Sequence, residues 1–173
     1  LGLQAMRSYF ATERGGDDVN RSEALGLLAD ALARSENYRA ALDTYRHALK
    51  LHSTPALVGA YEYLLAQRGF RVMDQTVDSD SAEPRICLVL SDNLSTETTD
   101  FTPFVQLDGG APKGLTAKDN QVCIEGLTHG ARHTIVLRQG LPSVNSEVLQ
   151  KDVSVTHFIR DRQAAVRFTG SNF

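Results

Sequence analysis

The sequence is poor in the features that announce a membrane or a nucleic-acid partner. It has no tryptophan and only two cysteines, and none of its apolar runs approaches the roughly 20 residues that a membrane-spanning helix needs. Its net charge of −3 gives no electrostatic reason to expect nucleic acid or an anionic membrane as a partner. Residues 1–10 lack the basic and apolar regions of a signal peptide. Because the chain opens on Leu1 and stops just after a strand-like segment, we interpret it as part of a larger protein.

The sequence also lacks the short motifs that carry catalysis or hold cofactors. There is no glycine-rich phosphate loop, nucleophile elbow, HExxH or paired-cysteine pattern. His47 and His52 are five residues apart, the wrong spacing for chelation from one helix face. The acidic residues between 74 and 83 lack the length and glycine turn of a calcium loop. We therefore expect no enzyme activity, no cofactor and no metal.

Apolar residues recur at helical spacing through the first half of the chain. They predict helices over residues 3–13, 22–34, 38–51 and from the Ser53 or Thr54 cap to Gly69, with Pro55 at the first position. Residues 25–51 are similar to one tetratricopeptide repeat, but about three repeats are needed for a solenoid. We interpret this half as a small helical bundle acting as a spacer. A peptide-binding groove and packing against a neighbouring domain are the alternatives.

The apolar period changes from helical to two after an acidic segment. Residues 70–75 could be extended, and residues 76–84 are interpreted as a solvated linker. Beyond Pro84 the pattern predicts short strands, a turn every 8–12 residues and thus an antiparallel sandwich. The predicted strands cover residues 85–90, 102–107, 114–117, 121–125, 133–138, 152–158 and 164–168. Ile86, Leu88 and Leu90 form one face of the first, and Cys87 and Val89 the other.

A glycine-bracketed turn organises the second half. Gly126 and Gly130 flank it, Leu127 is its apolar residue, and His133 enters the next strand. A ring at this place folds back on the preceding corner in many sandwich domains. We predict that His133 is such a corner-filling ring rather than a ligand or a base.

The cysteines leave two possibilities open at this point. Cys87 and Cys123 each lie in a strand-like run, without the spacing or extra ligands of a zinc site. They are buried free thiols or a disulfide joining two strands of an exported domain.

The order of the motifs resembles a known family. The runs PRICLVLSDNL, FTPFVQL, QVCIEGLTHGARHTIVLRQGLPS and FIRDRQAAVRF, with the preceding LLAQRGFRVMDQTVDSDSAEP, resemble the N-terminal macroglobulin-like region of bacterial α2-macroglobulins. The resemblance covers residues 22–173. His133 departs from it, because the family more often shows Tyr or Phe there.

The change of apolar period, together with the resemblance, predicts an α+β fold in two segregated domains. These are a TPR-like helical bundle at residues 1–75, the acidic linker at 76–84, and a fibronectin-III/macroglobulin-like antiparallel β-sandwich at 85–173. In the family-like pattern the two cysteines lie in the first strand and in the strand before the corner, so we predict a Cys87–Cys123 disulfide in the oxidising periplasm.

The family implies a large periplasmic protease trap, with any inner-membrane anchor outside this chain. The expected partners are neighbouring macroglobulin-like domains of the parent chain and, through the full-length protein, target proteases. No thioester motif is present, since Cys87 and Cys123 are followed by other residues. This chain would then be non-catalytic scaffold. The alternative is an adhesion or peptide-binding module made of a helical repeat and a fibronectin-like sandwich.

Overall fold

The computed structural model describes residues 16–161, together with the isolated residues Leu3, Arg7 and Phe10. The chain divides into two compact units, Leu1–Gly69 and Phe70–Phe173. Within the described residues the first unit is helical and the second contains antiparallel sheets, which confirms the α+β class. The predicted helix at 3–13 and strand at 164–168 lie largely or wholly outside the described residues.

Three helices form the described part of the first unit, and their caps explain their limits. They are α1 (Asp18–Arg34), α2 (Tyr38–Leu51) and α3 (Pro55–Arg68). α1 begins four residues earlier than predicted because the Asp17 carboxylate accepts the Asn20 N–H at 2.9 Å. The Thr54 hydroxyl caps α3 by accepting the Leu57 N–H at 3.2 Å, with Pro55 in the first turn. The second and third helices match their predictions.

Small residues allow α1 and α2 to pack closely. Ala29, Ala41 and Ala48 are fully buried, and Leu42 and Tyr45 fill the space beside them. The buried Ser22 hydroxyl lies 2.9 Å from the Ala48 carbonyl and 2.7 Å from the His52 carbonyl, joining the start of α1 to the end of α2. The α1–α2 hairpin is thus held by close apolar packing and, at one end, by the hydrogen bonds of the Ser22 hydroxyl. Its assignment as a tetratricopeptide repeat stays a prediction.

Two antiparallel sheets share one core in the second unit. One sheet has the order β1 (Val72–Asp78), β2 (Arg85–Leu90), β5 (Gln121–Glu125) and β4 (Gly114–Lys118). The other has the order β3 (Val105–Leu107), β6 (Arg132–Leu137) and β7 (Val153–Phe158). Buried residues of both sheets belong to a single cluster that includes Ile86, Leu88, Val122, Ile124, Ile135 and Leu137. The predicted alternation of β2 is confirmed, with Ile86, Leu88 and Leu90 towards this core.

The predicted linker is wrong in part. Val72–Asp78 is an edge strand that pairs with β2, and the boundary between the units falls between Gly69 and Phe70 rather than at residues 76–84. The acidic residues suggested a solvated linker, but an edge strand also tolerates exposed charges along its length. Asp78 lies opposite Arg85 in the register.

The Phe70 N–H donates to the buried Glu147 carboxylate at 2.8 Å, which attaches the start of this unit to a distant loop.

One predicted strand is shorter than expected. Thr102–Phe104 is a single 3₁₀ turn, and β3 begins only at Val105. Pro103 favours the turn because it fixes φ and has no N–H to donate to a ladder.

A matched pair of valines tests the position of the core. Val122 is fully buried and Val144 is 50% exposed. We expect Val122→Ala to lower the free energy of unfolding by about 2 kcal/mol, because it removes buried methyl groups and leaves a cavity. Val144→Ala should change it by less than about 0.5 kcal/mol. Urea unfolding followed by circular dichroism provides the measurement, since the chain has no tryptophan. Equal effects of the two substitutions would contradict the assigned core.

Candidate functional site

The two cysteines form a disulfide between the central strands of the four-stranded sheet. Cys87 of β2 lies directly opposite Cys123 of β5, with their Cα atoms 4.0 Å apart and an S–S bond between them. Both residues are less than a tenth exposed. The cross-link closes a loop of 36 residues, which by loop entropy contributes about 4 kcal/mol.

The disulfide lies on the face of the sheet that is turned away from the core. Directly paired residues share a face, so the row across the sheet runs Thr76, Cys87, Cys123, Thr116. Ile86, Leu88, Val122 and Ile124 alternate with this row and enter the core. No bulge is needed between β2 and β5 to bring the sulfurs together. The register irregularity of this sheet lies instead in β1, between Val72 and Asp74.

The ring of His133 returns to the corner that precedes its strand. Gly126 and Gly130 both adopt positive φ, of 71° and 69°, as the tight chain reversal requires. Leu127 is buried between them, and the Thr128 N–H donates to His133 Nε2 at 3.1 Å. A Cβ on Gly130 would lie 2.5 Å from an Asp161 oxygen. The structure therefore brings together all the residues assigned to the corner.

Asp108 holds the other side of the same ring. Its Oδ2 lies 2.7 Å from His133 Nδ1, and its Oδ1 accepts the Thr134 N–H at 2.8 Å. The bond from Thr134 and then the bond to His133 hold the pKa of Asp108 below its usual 3.8. Asp108 itself adopts a φ of 51° in the turn after β3. Since both ring nitrogens of His133 have partners, the ring acts as a structural bridge between β3 and the corner.

Sequence reasoning missed Asp108. It lies 25 residues before His133, and the only local signal was its place in front of Gly109 in a turn.

His133 also lies opposite His157 in the pairing of β6 with β7. Within the part of the chain that the structure describes, the buried Nε2 atom of His157 has no hydrogen-bond partner. On the exposed face of the same strands, the hydroxyls of Thr134 and Thr156 are 2.9 Å apart.

The described residues carry no metal cluster and no spanning helix. Among residues 16–161 no group of three or more His, Cys, Asp or Glu side chains is arranged to hold a metal ion. None of the helices in that range is long and apolar enough to cross a membrane.

The comparisons with known proteins found matches only among solved structures. No protein-family model matches the chain, and no curated protein matches it. Matching solved structures include a crystal structure of native α2-macroglobulin from Escherichia coli spanning domains MG0-NIE-MG1, at 19% identity and a TM-score of 0.47. A cryo-EM reconstruction of the native conformation of E. coli α2-macroglobulin matches at 18% identity and a TM-score of 0.46.

The match spans only part of each protein. In both cases it covers 57% of this chain, and it covers 36% of the first matched chain and 7% of the second. The matched region is therefore about a third of the first chain and less than a tenth of the second.

The disulfide is tested by mass spectrometry of the unreduced, alkylated protein. We expect no alkylated cysteine in protein purified from an oxidising compartment, and two after reduction. Reduction should lower the free energy of unfolding by about 4 kcal/mol because the unfolded chain regains the freedom of the closed loop. Two labelled thiols before reduction would reject the bond.

The Asp108–His133 contact predicts a pH dependence of stability. A carboxyl whose pKa is depressed by folding stabilises the protein above its unfolded pKa, near 3.8, and this contribution is lost as the pH falls through the lower folded value. Asp108→Asn should therefore cost about 0.5–1 kcal/mol at neutral pH, a small value because the side chain is half exposed. The difference from the unsubstituted protein should shrink below about pH 4.

Asp80→Asn is the control for this substitution, because Asp80 is exposed and lies in the loop between β1 and β2. Unfolding free energies measured by denaturant titration between neutral and acidic pH give the comparison. A difference for Asp108→Asn that is constant with pH, or one equal to that of Asp80→Asn, would contradict the role of the carboxylate.

Proposed function

We propose that this chain is an N-terminal scaffold region of a large periplasmic protein of the α2-macroglobulin type, a protease trap, and that the chain itself is non-catalytic. The observation that carries the proposal is the Cys87–Cys123 disulfide between the two central strands of the four-stranded sheet. Such a cross-link is typical of exported domains and rare in reducing compartments. The ordered motifs of the second unit supply the family resemblance.

The hydrogen bonds at the corner support a structural role for Asp108 and His133, the two side chains that most resemble a catalytic pair. An aspartate–histidine contact can orient a general base, but that base must keep one nitrogen for the proton it takes. Nε2 of His133 instead accepts the Thr128 N–H and lies 3.2 Å from the Thr128 carbonyl. These hydrogen bonds support a role for the pair in the fold of the second unit.

Within this proposal, the partners are the neighbouring macroglobulin-like domains of the parent chain. Proteases would meet the full-length protein, whose bait and any thioester lie outside this chain. Neither cysteine belongs to a thioester motif, and both are joined in the disulfide. A disulfide-linked cysteine has no thiol with which to form a thioester.

Incubation of the purified chain with a panel of serine, cysteine and metalloproteases tests the non-catalytic role. We expect no covalent or size-stable complex by denaturing electrophoresis and size-exclusion chromatography, because the chain holds no thioester motif. Protease activity on a small substrate and on a large one should also be unchanged. A stoichiometric complex that survives chromatography would refute the proposal, whereas simple cleavage of the chain would not produce one.

A further inference from the structure

Within residues 16–161 four strands form the edges of the two sheets, and three of them carry features that hinder the pairing of a further strand. β1 has a register irregularity between Val72 and Asp74, and the Asp74 carboxylate accepts the Gln75 N–H at 2.8 Å. β3 has only three residues, and β4 ends in Lys118. Bulges, short strands and charged side chains are the usual protection of sheet edges.

β7 is the edge strand that has none of these features. Its six residues, Val153–Phe158, include no lysine, proline, aspartate or glutamate, and its register with β6 is continuous. Among the described strands its partner is β6 alone. A strand of this length with an uncharged edge is a template on which another strand can pair.

The hydrogen bonds at the end of β7 identify the backbone groups that point to its free edge. Ile159 donates its N–H to the Ala131 carbonyl and accepts the Gly130 N–H, both at 2.9 Å, so its backbone groups point towards β6. Successive residues of an antiparallel strand point these groups alternately to the two sides. The N–H and C=O groups at the free edge therefore belong to alternate residues, Ser154, Thr156 and Phe158.

The core is incompletely covered at this edge by the described residues. Val153 and Val155 pack against the core cluster but are only half-buried. Their partners on β6, Leu137 and Ile135, are fully buried. The same side of β7 carries His157, which is also half-buried. An apolar strand beside β7 would complete the burial of these side chains.

The chain itself contains a segment of suitable chemistry close to this edge. The described residues continue to Asp161, three residues beyond β7, where a Cβ on Gly130 would lie 2.5 Å from the Asp161 carboxylate. Residues 164–168, AAVRF, have the alternation that predicts a strand. Residues 160–163 connect this segment to Ile159, and a connection of about four residues is common in β-hairpins.

We propose that residues 164–168 pair in antiparallel orientation with β7, as a fourth strand of this sheet, and close its free edge. With residues 160–163 as the loop, Arg167 lies opposite Thr156 on the exposed face of the sheet. A slip of one residue would turn the arginine towards the core, so the burial pattern of β7 selects this register.

The same register turns the larger apolar side chains of the segment towards the core. Val166 lies opposite His157, and Phe168 lies opposite Val155. Because directly paired residues share a face of a sheet, these two side chains cover the half-buried side of β7. The segment thus supplies both the backbone partners and the apolar surface that the edge requires.

The segment is a better occupant than a second copy of the chain because four residues tether it to Ile159. Tethering makes the pairing intramolecular, with an effective concentration on the order of millimolar. The proposal does not depend on protease trapping. The measurements below contain no protease, so their failure and the failure of the proposed function are separate results.

Amide hydrogen exchange of the whole, unsubstituted chain, followed by NMR, tests the pairing. The Thr156 and Phe158 amides should exchange at least about 100-fold more slowly than unstructured amides, because pairing removes them from water. The His157 amide points to β6, so its protection is the reference for a folded sheet. Exchange of Thr156 and Phe158 at unstructured rates, with His157 protected, would overturn the proposal.

Two neighbouring substitutions distinguish the faces of the segment. Val166→Asp places a charge on the core side and should reduce the protection of the Thr156 and Phe158 amides by about 10-fold or more. Ala165→Asp places the same charge on the exposed face and should change it by less than about three-fold. Equal effects of the two substitutions, with the His157 amide still protected, would reject the assigned faces and the proposal with them.

A pair of introduced cysteines tests the register. Thr156→Cys combined with Arg167→Cys should form a second disulfide, detected by peptide mapping of the unreduced protein, because the two Cβ atoms lie side by side. Thr156→Cys combined with Val166→Cys is the control and should leave both thiols free, since the side chains lie on opposite faces. A bond in the control and none in the first pair would contradict the register.

The molar mass from light scattering distinguishes the occupants of the edge. Protected Thr156 and Phe158 amides in a monomer support residues 164–168 as the partner of β7. A dimer whose dissociation on dilution removes the protection would assign the edge to a second copy of the chain and overturn the proposal.

Discussion

The antiparallel register of β2 and β5 is the constraint on which the second unit depends. It places Cys87 opposite Cys123 on one face and Ile86 opposite Ile124 on the other. A slip of one residue would exchange the two faces, exposing the isoleucines and separating the sulfurs. The disulfide therefore fixes the same register that the apolar core requires. The two neighbouring strands, β1 and β4, inherit this arrangement by pairing with β2 and β5.

A second set of contacts determines how the chain turns between the sheets. Asp108 follows β3 and binds both His133 and the backbone of Thr134, while His133 binds the corner at Thr128. One histidine thereby performs the task that a tyrosine hydroxyl performs in other sandwich domains. The histidine offers two nitrogens, so it connects two segments rather than one. This substitution keeps the corner while changing its hydrogen bonds.

The helical unit shows a different balance between packing and exposure. Alanines and a buried serine let α1 and α2 meet closely, which is a stabilising arrangement in itself. On α3 only Leu64 is buried, and Tyr63 is 72% exposed. A largely different set of small residues, Gly26, Ala56 and Ala60, lies along the space between α1 and α3.

The sequence by itself determined the type and most limits of the described helices and strands, because apolar period, caps and turn residues act locally. It also indicated the ring at His133, since the glycine spacing around that residue is local. Tertiary structure decided what depends on contacts distant in sequence. Val72–Asp78 became a strand only because β2 offers it a ladder, despite its acidic composition. Asp108 and Glu147 found their partners 25 and 77 residues away. No local pattern records such pairings, because they arise when separate elements pack.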